Sequence, residues 1–200
     1  MSSSSPVARL VDALEKLPGI GRKSAERMAM KIARDDKGLA SEMIDALTDV
    51  RSNIRTCSQC GSITSIANDP CRLCTSSTRD DTILCVVEDA MDIINIERSG
   101  EFKGRYFLLM GRITAGRNPI KPERLKQLSE RISGGKTKEV ILALGTDTES
   151  DATASYLEDM LKSAGLTMTR LAMGLPIGSS VAYSDPVTLA RAIKGRTRAN

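Results

Sequence analysis

Apolar positions follow two regimes along the chain. Through residues 7–54 they recur at helical spacing: Leu10, Leu14 and Leu17, then Ala25, Met28, Ala29 and Ile32 after a break at Pro18-Gly19-Ile20-Gly21, then Met43, Ile44, Leu47 and Val50. An apolar residue every three or four positions marks one face of an amphipathic helix, so the spacing predicts three helices, the second resuming from Ser24 and the third covering about 39–54. From residue 83 the regime changes. The runs 83–87, 106–110 and 140–144 are short and unbroken, and amphipathic stretches near 89–98, 121–133 and 151–164 separate them. Strands that alternate with helices in this way build a mostly parallel sheet covered on its faces. Residues 57–74 keep neither period. Stretches 111–122 and 174–180 read as loops, and a short helix is expected after Asp185-Pro186. The expectation is an α/β chain in four parts: a helical region over 1–55, a small knuckle over 56–79, an α/β domain over 80–172 and a tail over 173–200.

The aperiodic segment carries the clearest chemistry. Cys57-x2-Cys60 and Cys71-x2-Cys74 are two thiolate pairs joined by a ten-residue loop, with turn formers Gly61, Asn68, Asp69 and Pro70 around them. That spacing closes four sulfurs around one tetrahedral Zn²⁺ per chain, and with all four positions filled by protein the site is structural. So polar a segment has little other means of folding. The fifth cysteine, Cys85, lies within an apolar strand and reads as a core residue.

The break between the first two helices is the second constellation. Two glycines flanking Ile20 permit a tight hairpin, and backbone N–H groups at the start of the next helix form an anion site. Arg22, Lys23 and Arg27 follow with charge for a neighbouring phosphate. Gly19, Gly21, Arg22, Lys23 and Arg27 are thus the candidate DNA-binding residues, and the pattern resembles the helix-hairpin-helix motif of DNA binders that ignore sequence.

The third constellation is acidic. Glu88 ends the strand 83–87, and Asp147, Glu149 and Asp151 follow the strand 140–144. Open α/β sheets place their sites at such carboxyl ends, although acids at a helix N-terminus also answer to the helix dipole alone. The arrangement is similar to the Toprim fold of topoisomerases and primases, whose catalytic members hold Mg²⁺ on a glutamate and an Asp-x-Asp. Glu88 and Asp147 match; Gly145 stands at the first aspartate. Mg²⁺ is therefore expected to be absent or weakly held, and the four acids are assigned instead to partner binding.

Composition adjusts this picture modestly. With three Tyr, two Phe and no Trp, stacking on aromatic rings is not available as the main mode of DNA binding, which points to phosphates. The net charge of +4 is small, but residues 170–200 hold five Lys/Arg against one acid. The start, Met-Ser-Ser-Ser-Ser-Pro, has no basic or apolar leader, and no run approaches membrane-spanning length, so a cytoplasmic, nucleoid-associated protein with reduced cysteines is expected.

Taken in order, these parts resemble the RecR family of bacterial recombination mediators over essentially the whole chain. The tail is the most specific stretch: Arg170-Leu171-Ala172-Met173-Gly174-Leu175-Pro176-Ile177-Gly178, Tyr183-x-Asp185, Thr188-Leu189 and Gly195-Arg196. After Gly111 the chain reads Arg112-Ile113, without the family's His and Leu-x-Gly-Ile-Gly run. The resemblance implies a non-enzymatic mediator of DNA repair that acts with RecO, and in some settings RecF, to load RecA on single-stranded DNA, and that assembles into a ring, expected to be a tetramer. The competing reading is a Mg²⁺-dependent Toprim nuclease or primase-like enzyme. Against it, the chain has no His, and Tyr156 reads as a packing residue in the helix beyond the acids. A sequence-specific regulator would need a recognition helix presenting Asn, Gln or Arg to base edges, and none is legible.

Overall fold

Unbroken apolar runs become strands with two buried faces. In the computed structural model, which describes residues 5–113 and 119–198, β3 (Asp80–Val87), β4 (Gly104–Leu108), β5 (Glu139–Ala143) and β6 (Thr167–Arg170) form one parallel sheet in the order β4-β3-β5-β6. Successive side chains of a strand point to opposite faces, and both faces are covered. Leu84, Val86 and Phe107 pack with Val140 and Leu142 against Leu128, Ile132, Ala154 and Leu157 of α6 (Pro122–Ser133) and α7 (Thr148–Leu161). Cys85, Val87, Tyr106 and Leu108 pack on the other side against Ile93 of α5 (Ala90–Ser99) and the cysteines of the knuckle. Cys85 is a core residue, 2% exposed, and burial pushes its thiol up to about 12.

The chain leaves β3 toward β4 and then returns to its other side as β5. That reversal opens a crevice at the carboxyl ends of β3 and β5, the place where open α/β sheets bind ligands. Glu88 directly follows β3, and Asp147 caps α7 just after β5.

β4 lies at the sheet edge, yet all its residues are buried. The knuckle covers that edge, with the Leu108 N–H donating to the Cys60 carbonyl at 2.8 Å, while Arg131 of α6 donates to the Tyr106 carbonyl. An edge closed in this way offers no free ladder to another chain. The knuckle itself is a ribbon of β1 (Ile54–Thr56) and β2 (Ile63–Ser65) followed by a four-residue helix, α4 (Arg72–Thr75).

Contacts divide the chain into two units, Met1–Ile54 and Arg55–Asn200. In the first, α1 (Pro6–Leu14) packs on α2 (Arg22–Arg34) through Val11, Ala25 and Ala29, and α3 (Leu39–Asn53) follows. In the second, the tail ends in α8 (Pro186–Lys194), whose first turn is capped by Asp185 through the N–H groups of Val187 and Thr188.

Several expectations are corrected. Leu17 lies beyond α1 and is exposed; α2 begins at Arg22 rather than Ser24; and Met28 faces outward. The apolar positions of α3 do not make a core, since no residue of that helix is buried. Tyr156 is 41% exposed and is not a packing residue. The loop expected over 111–122 and the Ser-rich start fall partly outside the described residues.

Candidate nucleic-acid interface and metal centre

In the helical unit, Leu17 through Gly21 reverse the chain tightly. The Leu17 N–H donates to Leu14 and the Ile20 N–H to Leu17, and Gly19 takes a φ of +78°, a left-handed backbone that suits glycine. Gly21 is the N-cap of α2 and, having no side chain, leaves the first amides of the helix without a side-chain acceptor. Such uncapped amides, at the positive end of a helix dipole, suit an anion.

The cations beside this turn play unequal parts. Arg22 is taken up by Asp12 at 2.9 Å, Glu15 at 3.2 Å and Glu26 at 3.2 Å, so its charge is spent within the unit and it fastens α2 to α1. Lys23 and Arg27 are exposed and meet no carboxylate among the described residues. They continue into Lys31 and Arg34, and the four line one shallow groove with Glu26 and Met30. Lys31 and Arg34 were missed in the sequence, although their spacing from Arg27 was a usable helical signal.

In the second unit the four cysteines converge. The Sγ atoms of Cys57, Cys60, Cys71 and Cys74 all lie within 4.8 Å of one another, with Cys60–Cys71 at 3.6 Å and Cys57–Cys74 at 3.9 Å. A tetrahedral ion with metal–sulfur bonds of about 2.3 Å requires about 3.8 Å between sulfurs. Backbone donors already face two of them: Ser62 N–H to Cys60 at 3.4 Å and Cys71 N–H to Cys57 at 3.2 Å. Crowding splits the thiols' proton affinities. A hydrogen bond from Cys74 draws Cys60 down to about 5, burial and the Cys60 charge push Cys71 up to about 11, and Cys74 is raised as the donor in that bond. A divalent cation would resolve the conflict by taking all four as thiolates. The residues fit a structural metal site.

At the crevice, Glu88, Asp147 and Glu149 converge on one guanidinium. Arg112 reaches Glu88 at 2.9 Å, Asp147 at 3.2 Å and Glu149 at 3.3 Å. Asp147 also accepts the N–H groups of Glu149 and Ser150, and these bonds, the Ser150 amide first, hold its carboxyl below the usual range. Helix capping thus accounts for Asp147 as well as any binding role does. Glu88 keeps one carboxylate oxygen buried without a hydrogen bond among the described residues. Asp151 does not join the cluster; it pairs with Arg170 at the end of β6 and Arg191 of α8, each at 3.3 Å. The acids therefore do not form a single open acidic edge. At Gly145 a Cβ would come within 2.6 Å of the Ser150 hydroxyl that donates to Asp147, so a side chain there requires Ser150 to shift.

Family models agree with the order of parts: RecR, helix-hairpin-helix over residues 7–51, Toprim domain over 82–172 and RecR, C-terminal over 174–197. The chain is 42% identical to the recombination protein RecR of Koribacter versatilis over 96% of both chains. It is 44% identical to those of Moorella thermoacetica, over 96% of both, and Thermobifida fusca, over 95% of both. The chain belongs to the RecR family. No helix among the described residues is long and apolar enough to cross a membrane. Within the family's frame, the residues that sequence reasoning missed are cations. The pairing of Arg112 with Asp147 and of Arg170 and Arg191 with Asp151 spans at least 19 residues of chain in each case, which no local pattern reveals.

Proposed function

We propose that the chain is a recombination mediator that grips DNA through its helical hairpin and acts by recruitment rather than by catalysis. The observation that carries this reading is the uncapped N-terminal turn of α2, bordered by Lys23 and Arg27, which form no ion pair among the described residues. Phosphates would sit on the amides after Gly19 and Gly21 and on these side chains, without regard to base sequence. Arg22 acts on DNA only indirectly, by fixing the helix.

Zn²⁺ is the ion we assign to Cys57, Cys60, Cys71 and Cys74, one per chain, because four thiolates at tetrahedral separation select it in a site with no open position. Its role is to fold the knuckle. The Toprim crevice is read as non-catalytic. Arg112 occupies the acids that a metal would need, and Gly145 supplies no carboxylate at the position of the first aspartate. The alternative of a Mg²⁺-dependent nuclease or primase-like enzyme therefore has the weaker support.

Three acids against one arginine leave the crevice negative. We assign Glu88 and Glu149, with Asp147, to docking a basic partner of the RecO kind, with RecF as a further partner, in loading RecA on single-stranded DNA. Asp151 is assigned to the tail instead. The setting is the bacterial cytoplasm, at the nucleoid, and the assembly is a homo-oligomeric ring of four chains that presents several hairpins together. The test is RecA filament growth on single-stranded DNA coated with binding protein. The chain with RecO should accelerate growth, and the chain with Mg²⁺ or Mn²⁺ should leave labelled DNA uncut. Nicking that is lost in Glu88→Gln would establish the enzyme reading instead.

A further inference from the structure

A divalent ion held by four thiolates is a net dianion, and placing it in a half-buried setting is costly unless positive charge lies close by. Arg124 supplies a matching puzzle. It projects from the first turn of α6 and is only 8% exposed, yet no carboxylate lies within ion-pair distance of it among the described residues. Its Nε donates to the Leu108 carbonyl at 2.7 Å, one terminal nitrogen to Gln127 at 2.6 Å and the other to the carbonyl of Cys60 itself. The guanidinium lies 3.8 Å from the Phe107 ring centroid and against Gly61 of the knuckle, where even a Cβ would collide with it. The charged groups that bear on it are the thiols of Cys60 and Cys57 and the guanidinium of Arg131.

Arg131 stands two turns further along the same helix face and donates to the carbonyl of Gln59, the residue before Cys60. Arg105 reaches the second knuckle through the Leu73 carbonyl, but Asp81 already neutralises it at 2.6 Å. Among the described residues, Arg124 is thus a buried cation with no carboxylate partner, beside a centre that becomes anionic when it holds a metal.

We propose that Arg124 is the counter-cation of the four-cysteine metal centre. It offsets the charge of the tetrathiolate and pins the Cys60 knuckle to the end of β4, so that the ion is retained. Arg131 supports it from the more exposed side. This inference rests on the metal reading of the four cysteines. Partners that orient and balance metal ligands typically change affinity by about 10–100-fold when removed.

The experiment follows release of the ion from the full chain to a chromogenic chelator, with the metal content of the parent measured first. Arg124→Gln should release the ion about 10–100-fold faster than the parent, with helix and strand content unchanged at saturating Zn²⁺. Gln127→Glu separates charge from packing, because it keeps the guanidinium in place and hands it a carboxylate. It should also release the ion faster, by a smaller factor, whereas a purely structural Arg124 would leave its rate at or below the parent's. If Arg124→Gln fails to fold, Gln127→Glu alone decides. Parent-like release from Arg124→Gln, or from Gln127→Glu, overturns the proposal while leaving the metal site standing. A folded parent without metal overturns the metal reading and this inference together.

Discussion

Gly19 holds the hairpin at a φ of +78°, and a side chain in that left-handed region costs about 1–2 kcal/mol. No atom crowds the position, so Gly19→Ala isolates the backbone effect. It should lower the melting temperature of the helical unit and weaken DNA binding; an unchanged melting curve would show that the turn does not need glycine. Cys85, by contrast, is predicted to be inert. At 2% exposure it should react with a thiol reagent only as fast as the protein unfolds, while rapid labelling of Cys85 in metal-loaded native protein would contradict its place in the core. Single residues were legible where their chemistry is local. The four cysteines announce themselves by spacing, and Gly19 by its neighbours. The ion pairs of Arg22 with Asp12 and Glu15 were not legible, because those acids precede the hairpin and a count of nearby cations does not reveal an ion-pair network.

Among the elements, the central strands β3 and β5 and the helices α5, α6 and α7 could be read from the sequence because burial on defined faces imposes a period. β6, reading Thr-Met-Thr-Arg at the sheet edge, is half exposed and gives no apolar run, and the three-residue strands of the knuckle are too short for any period. On the proposed metal reading, Cys74→Ser should abolish metal binding and melt residues 57–74. Because Cys60 caps Leu108, the β4 edge should then lose protection. Amide hydrogen exchange checks this: the Leu108 amide should exchange markedly faster in the variant, and unaltered exchange would mean that the knuckle holds its place without metal.

For the molecule as a whole, the parts divide the labour. The Toprim sheet offers acids partly neutralised by Arg112, and the hairpin offers Lys23 and Arg27, which form no ion pair among the described residues. Glu88→Lys with Glu149→Lys should prevent capture of a basic RecO-like partner while the metal content stays at the parent's level; full capture would show that these acids serve only Arg112. Kinship to the family was legible from the tail and the order of parts, whereas the distribution of Arg112, Arg170 and Arg191 among the acids exists only in the folded chain. On the proposed function, the chain holds DNA by phosphate contacts at its hairpin. The most direct measurement is the affinity for single-stranded DNA across a salt series, for the parent and for Lys23→Gln with Arg27→Gln. Each lost phosphate contact on a single strand should flatten the plot of log affinity against log salt by about 0.7, alike for every base sequence. The slope of the double variant should be shallower by about 1.4, or more if several chains engage one strand; a slope equal to the parent's would mean that Lys23 and Arg27 do not meet phosphates.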